Sequence, residues 1–230
     1  MSPPRYGERV TAAPALVIFD CDGVLVDSEP LSTAVLAASL TAAGLPTSSE
    51  DALRDYKGKL LQEVTDQAGG LLGAPLPEDF LENYERDRER AFRASLRAVP
   101  GAREAVEAVK AAGVAVCVAS QGKRSKTELT LSLTGLHDLF GADALFSADD
   151  VKRGKPYPDL FQHAAAAMGA TPDSCAVVED TVIGVTAAVA ASMRVVAYAG
   201  DEDPAPLRAA GADTVRSLTE VPAALGLGLT

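Results

Sequence analysis

The sequence predicts an α/β protein: a doubly wound parallel sheet with an inserted helical segment. Three observations carry this. Short continuous apolar runs recur along the chain and stop at polar or turn residues. Segments with apolar residues at helical spacing lie between them. One long stretch, 29–96, carries helical patterns and no convincing strand. Continuous apolar runs of this length are the mark of parallel strands buried on both faces. Strands alternating with helices require right-handed crossovers, which build a doubly wound sheet.

In chain order, residues 1–14 have no periodicity and are expected to be loose. Ala15-Leu16-Val17-Ile18-Phe19 is the first strand, ended by Asp20-Cys21-Asp22-Gly23. Leu31, Val35, Ala38 and Ala42 then mark a helical face, which Gly44 and Pro46 stop. Residues 50–68 and 77–96 predict further helices, with the mixed charges from Glu85 to Arg90 on a solvated face. Alternation resumes with a helix over 101–112, its face marked by Ala105, Val106, Val109 and Ala112. Strands follow at 114–118, more weakly at 144–146, at 175–178 and at 194–198. Helices over 123–134 (Leu129 and Leu133 on one face), 157–168 and 181–192 separate them. The predicted organisation is therefore a loose segment 1–14, a core of 15–28 and 97–230, and a helical insert 29–96.

The composition, 47% hydrophobic and 23% charged, is globular. With 21 basic against 32 acidic residues the net charge is −11, which disfavours nucleic acid and anionic membranes but not a small phosphorylated ligand. No apolar run is long enough to span a membrane and no apolar leader precedes the first strand, so a cytoplasmic protein is expected. Cys21, Cys117 and Cys175 form an odd set without metal-ligand spacing and predict free thiols. His137 and His163 adjoin no nucleophile in sequence, which disfavours a His-assisted Ser or Cys enzyme. A monomer or weak homodimer is the expected state.

Ligands of doubly wound folds bind beyond the carboxyl ends of the strands. There the sequence places Asp20 and Asp22, Ser120 and Gln121, Glu179 and Asp180, with Gly154-Lys155-Pro156 after the 144–146 strand. If these strands are neighbours, four carboxylates, one hydroxyl and one lysine converge. Such a cluster repels itself without a cation, and oxygen-only donors select a hard ion, of which Mg²⁺ is the expected one. Mg²⁺ favours phosphate chemistry, and without a histidine base a carboxylate is the natural nucleophile.

The segment Phe19-Asp20-Cys21-Asp22-Gly23-Val24-Leu25-Val26-Asp27-Ser28-Glu29 resembles the first motif of the haloacid dehalogenase superfamily of phosphohydrolases. Ser120 matches its second motif, Lys155 in Gly154-Lys155-Pro156-Tyr157-Pro158-Asp159 its third, and Glu179-Asp180 with Thr181 and Gly184 its fourth. The insert resembles the superfamily's small α-helical cap. The resemblance implies that Asp20 attacks phosphorus and that Asp22 is the general acid and base. It implies Mg²⁺ on Asp20, the carbonyl of Asp22 and Asp180, with Glu179 in or near that set. Lys155 and Ser120 would bind the phosphate, with Gly23 and Gln121 beside them. Lys57, Gly58 and Lys59, in a segment that looks like the specificity loop of sugar-phosphate and sugar-acid-phosphate phosphatases, would read the leaving group.

Asp22 points to phosphate esters, since true dehalogenases of the superfamily lack it. β-Phosphoglucomutases carry a His and a cap Arg where this chain has Ser32 and Leu61, so a phosphatase is expected ahead of a mutase. A phospho-accepting receiver module lacks a cap, and a binding module without catalysis would not fill every chemical position.

Overall fold

The computed structural model of the chain describes residues 13–57, 59, 61–141 and 143–228. The expected loose segment therefore lies, for residues 1–12, outside the described residues, as does Gly58. Six parallel strands form one sheet: β1 (Leu16–Phe19), β2 (Ala115–Ser120), β3 (Leu145–Ser147), β4 (Cys175–Glu179), β5 (Arg194–Tyr198) and β6 (Asp213–Val215), in the order β3-β2-β1-β4-β5-β6. β1 is central, with Phe19 in register with Val118 on one side and Val178 on the other. The chain winds outward from β1 to β3 and then restarts beyond β1 at β4. The strand order thus reverses at β1/β4, where such sheets open a crevice beyond their carboxyl ends.

Helices connect the strands. α1 (Glu29–Ala42), α2 (Ser49–Tyr56), α3 (Leu61–Leu72) and α4 (Phe80–Ser95) follow β1 without a strand among them. α5 (Ala102–Ala111), α6 (Arg124–Leu133), α7 (Asp159–Ala167) and α8 (Val182–Ala190) are the crossovers, and α9 (Ala205–Ala209) and α10 (Val221–Ala224) are short. None among the described residues is long and apolar enough to cross a membrane. The five predicted strands are present. β6 escapes the sequence reading because its three residues, Asp213-Thr214-Val215, form a short edge strand whose first residue is exposed.

The predicted helix over 50–68 is two helices. α2 opens on a reciprocal cap between Ser48 and Asp51 and ends where Lys57 turns extended, at φ −53° and ψ 128°. The buried face of α1 is Leu36, Ala37 and Leu40, whereas Ala38 and Ala42 of the predicted face are exposed. α1 is lined with small or apolar residues nearly all round, so periodicity alone does not orient it. On α6 the buried positions are Thr127, Thr130 and Leu131, with Leu129 and Leu133 only half-buried; Ala112, beyond the end of α5, is exposed.

Two apolar clusters result. One surrounds the sheet and includes Phe92 and Leu96 from the end of the insert. The other, with Leu36, Leu40, Tyr56, Val64, Phe80 and Tyr84, lies within the insert. The chain leaves and rejoins the sheet domain at one place: Asp27 N–H donates to Arg97 O (2.9 Å), and Val99 N–H to Leu25 O (3.0 Å). The insert therefore stands over the carboxyl end of β1. Leu40 is wholly buried in its cluster. Leu40→Ala should cost about 2–5 kcal/mol in chemical denaturation, the range for truncating a buried leucine. An unchanged midpoint would mean that this cluster does not hold the insert together.

Candidate active site

The site begins with an ammonium ion. Lys155, on the loop before α7, is buried with its Nζ 2.5 Å from Asp20 Oδ1 and 2.7 Å from Glu179 Oε1. Asp20 directly follows β1 and Glu179 ends β4, so the pair spans the point where strand order reverses. The other oxygen of Glu179 accepts from Asp180 N–H (2.8 Å), Thr181 N–H (2.9 Å) and the Thr181 hydroxyl (2.9 Å). Thr181 Oγ1 in turn accepts from Gly184 N–H and caps α8. A Cβ at Gly184 would lie 1.7 Å from Glu179 Oε1, so the carboxylate occupies the space a side chain would need. This accounts for the spacing of Glu179, Thr181 and Gly184.

Both oxygens of Glu179 are thus engaged. It buttresses the lysine and the first turn of α8. Asp180 is different: its Oδ1 is buried and has no hydrogen-bond partner among the described residues. Gly23, at φ +81°, packs against the same carboxylate, and a Cβ there would lie 2.0 Å from Asp180 Oδ2. Among the described residues no three His, Cys, Asp or Glu side chains form a metal cage by themselves. The expected ligand set has two side chains and one backbone carbonyl, so it does not require one. The orphaned oxygen of Asp180, near Asp20 and in an oxygen-only donor set, fits a hard divalent ion.

Charge follows burial. Burial pushes the Asp20 carboxyl up to about 7; Lys155 opposes the rise, and Glu179 and Asp22 add to it. Burial also raises Asp180 well above the ordinary carboxylate range, with repulsion from Glu179 and Asp20 adding to it. For Asp22 burial is outweighed: the Lys126 ammonium hydrogen-bonds Oδ2 and the Ser28 hydroxyl donates to Oδ1 at 2.5 Å, which holds the group below its usual value. Burial works against the charge of Lys155, yet Asp20 and Glu179 more than offset it and raise its pKa.

The remaining expected residues divide. Ser120 is buried at the end of β2 and accepts from Gly122 N–H at 3.1 Å. Gln121 Oε1 accepts from Lys155 N–H (2.8 Å), so its side chain braces the lysine loop. Lys57 lines a cleft of about 490 Å³ that has Gly23 and Asp180 at its floor and is closed by α1, α2 and the loop after β5. It pairs across that cleft with Glu202 (2.7 Å) and reaches Glu29 (3.7 Å). Lys59 is not in the lining: its Nζ donates to Gln67 on α3 and lies 5.8 Å from the centre of the Tyr56 ring. The insert's own packing claims that side chain. All three cysteines are free and buried, and burial raises the thiol of Cys21.

Lys126 and Arg88, whose charges lower the Asp22 carboxyl, and Glu29 and Glu202, which line the cleft, escape the sequence reading. Lys126 carried a signal: with Thr127 and Thr130 it makes a polar stripe at helical spacing on a helix that starts beside Ser120. Glu202 carried none, because a loop after an outer strand meets the insert only in three dimensions.

With this geometry in hand, the chain can be set beside known proteins. The sequence model of the haloacid dehalogenase-like hydrolase family matches residues 14–192. The chain is 31% identical over 207 residues to 6-phosphogluconate phosphatase of Escherichia coli K12, covering 90% of this chain and 92% of that protein. It is 33% identical over 226 residues to hexitol phosphatase B of the same organism, covering 97% and 98%. The crystal structure of a family hydrolase from Deinococcus radiodurans R1, with bound phosphate and sodium, is similar at TM-score 0.79 and 31% identity, covering 94% of this chain and 98% of that one.

The raised Asp20 carboxyl makes a stability prediction. A carboxyl whose folded pKa exceeds its ordinary value of 3.8 stabilises the fold below that value, and the contribution is lost as pH rises to about 7. Asp180 acts with the same sign. Metal-free protein should therefore be less stable at pH 8 than at pH 5, on the order of a few kcal/mol, in denaturant titrations. Asp20→Asn should remove the Asp20 share of that slope and leave the Asp180 share. Equal stability at both pH values would contradict the assignment.

Proposed function

Because the chain belongs to the haloacid dehalogenase-like hydrolase family, we propose that it is a Mg²⁺-dependent phosphatase that hydrolyses a small sugar phosphate through an aspartyl-phosphate on Asp20. The observation that carries this reading is the buried Asp20 at the end of β1, bridged by Lys155 to Glu179 and set beside the orphaned oxygen of Asp180. Two relatives named as sugar- or polyol-phosphate phosphatases, each covered almost end to end, support the substrate class.

Asp20, Asp180 and the backbone carbonyl of Asp22 would hold the metal. When bound, Mg²⁺ supplies positive charge against the phosphoryl oxygens and the clustered carboxylates. The chain's own residues do the rest. The Asp20 carboxylate forms a bond to phosphorus as the ester P–O bond breaks, and Asp22, which must take up a proton against the pull of Lys126 and Ser28 before this step, gives it to the leaving oxygen. Asp22, now a carboxylate favoured by Lys126 and Ser28, takes a proton from water. The water oxygen bonds to phosphorus and the P–O bond to Asp20 breaks. Asp20 is restored, Asp22 is again protonated, and the sum is ester plus water giving alcohol plus phosphate. Lys155 holds Asp20 in place and Ser120 offers a hydroxyl to the phosphate. Closure of the insert over the cleft excludes bulk water.

The reading is tested with p-nitrophenyl phosphate, whose leaving group needs little proton assistance. Asp20→Asn should lower turnover by about a thousandfold or more, because an amide is a poor nucleophile. Asp22→Asn should form the phosphoenzyme and hydrolyse it slowly, so that covalent phosphate builds up on Asp20 in quenched digests. Chelation should stop phosphate release and added Mg²⁺ restore it. Near-normal turnover by Asp20→Asn, or full activity in excess chelator, would overturn it.

A further inference from the structure

We infer that the cleft selects a phosphate ester whose leaving group is a neutral polyol or sugar, and discriminates against one that carries a carboxylate. The inference rests on the phosphatase reading and narrows its substrate. Away from the floor at Gly23 and Asp180, the cleft is lined by Asp27, Glu29, Glu50, Asp201 and Glu202. Lys57 is the one cation among its described lining residues. That cation is already committed, with Nζ 2.7 Å from Glu202 Oε1 and 3.7 Å from Glu29 Oε2.

Ionised carboxylates only accept hydrogen bonds. Sugar hydroxyls donate, so they complement these walls, and a polyol chain offers a donor at nearly every carbon. A leaving group with its own carboxylate adds an acceptor and a negative charge to a surface that has both in excess. At Lys57 it competes with Glu202 and Glu29 for an ammonium whose short bond is already made to Glu202. A cationic leaving group meets Lys57, the one cation of the described lining, which already occupies Glu29 and Glu202. Leu53 and Leu207 supply apolar wall for the carbon chain.

The comparison that isolates this feature uses glucitol 6-phosphate and 6-phosphogluconate, which share a six-carbon chain and differ at C1, hydroxymethyl against carboxylate. kcat/KM at low ionic strength should favour the neutral ester by about tenfold or more, and the preference should shrink as salt is added. Glu202→Gln releases Lys57 and removes one charge, so it should narrow the ratio by about tenfold, chiefly through KM on the acid. The Glu202 side chain is 74% exposed, so this variant should fold. Equal or greater efficiency on 6-phosphogluconate, a ratio unmoved by Glu202→Gln, or glucosamine 6-phosphate surpassing both would overturn the inference and leave the phosphatase reading standing. No phosphate release from these esters or from p-nitrophenyl phosphate would overturn the phosphatase reading itself, and the inference with it.

Discussion

One ammonium ion between two carboxylates holds this site together. Lys155 joins the end of β1 to the end of β4 through Asp20 and Glu179, all three buried. Taking such charges out of water costs several kcal/mol per ion, and their mutual attraction offsets this only when the geometry is good and the remaining oxygens are satisfied. The neighbouring residues meet that condition. Thr181 and two backbone N–H groups satisfy Glu179, Gly184 makes room for it, and Gln121 braces the backbone of Lys155. The cluster still falls one cation short, since Asp20 and Asp180 are both pushed toward the protonated state and Asp180 keeps an unpartnered oxygen. A hard cation is the species that such an imbalance suits.

The insert completes the site from above. Its first residues follow directly from the Asp20 loop, and Ser28, at the cap position of α1, donates to Asp22. The chain's departure and return are fastened together by backbone hydrogen bonds at Asp27 and Val99. Lys57 to Glu202 and Lys123 to Glu85 are ion pairs from the insert to the sheet domain, on exposed side chains worth little each in stability. Contacts of that strength suit a lid that must open for substrate. The walls they leave between them are acidic, which is where the leaving group would be read.

The sheet and the floor of the site were legible in the chain because both depend on local pattern. Asp20, Ser120, Glu179 and Asp180 each end or follow an apolar strand, and parallel topology brings strand ends together whatever lies between them. Lys155 was placed by its position between the 144–146 strand and the next helix, and the motif supplied its role. What was not legible depends on tertiary packing. Lys126 reaches Asp22 because α6 presents a polar stripe at 126, 127 and 130 inward, against the usual rule that the inner face is apolar. Lys57 and Lys59 are two residues apart, yet one enters the cleft and the other turns to Gln67, a difference set by how α2 ends. Glu202 meets Lys57 across 145 residues of sequence.

The central claim is that Lys155 neutralises a buried pair of carboxylates on which the site is built. Its most direct test is the unfolding free energy of metal-free Lys155→Met relative to the unaltered chain, at pH 8 and at pH 5. Removing one partner of a buried ion pair should cost about 3–5 kcal/mol at pH 8, where Asp20 is ionised beside the lysine. The cost should be clearly smaller at pH 5, where Asp20 is protonated and leans less on that charge. A substitution without cost at pH 8, or with the same cost at both pH values, would contradict the account.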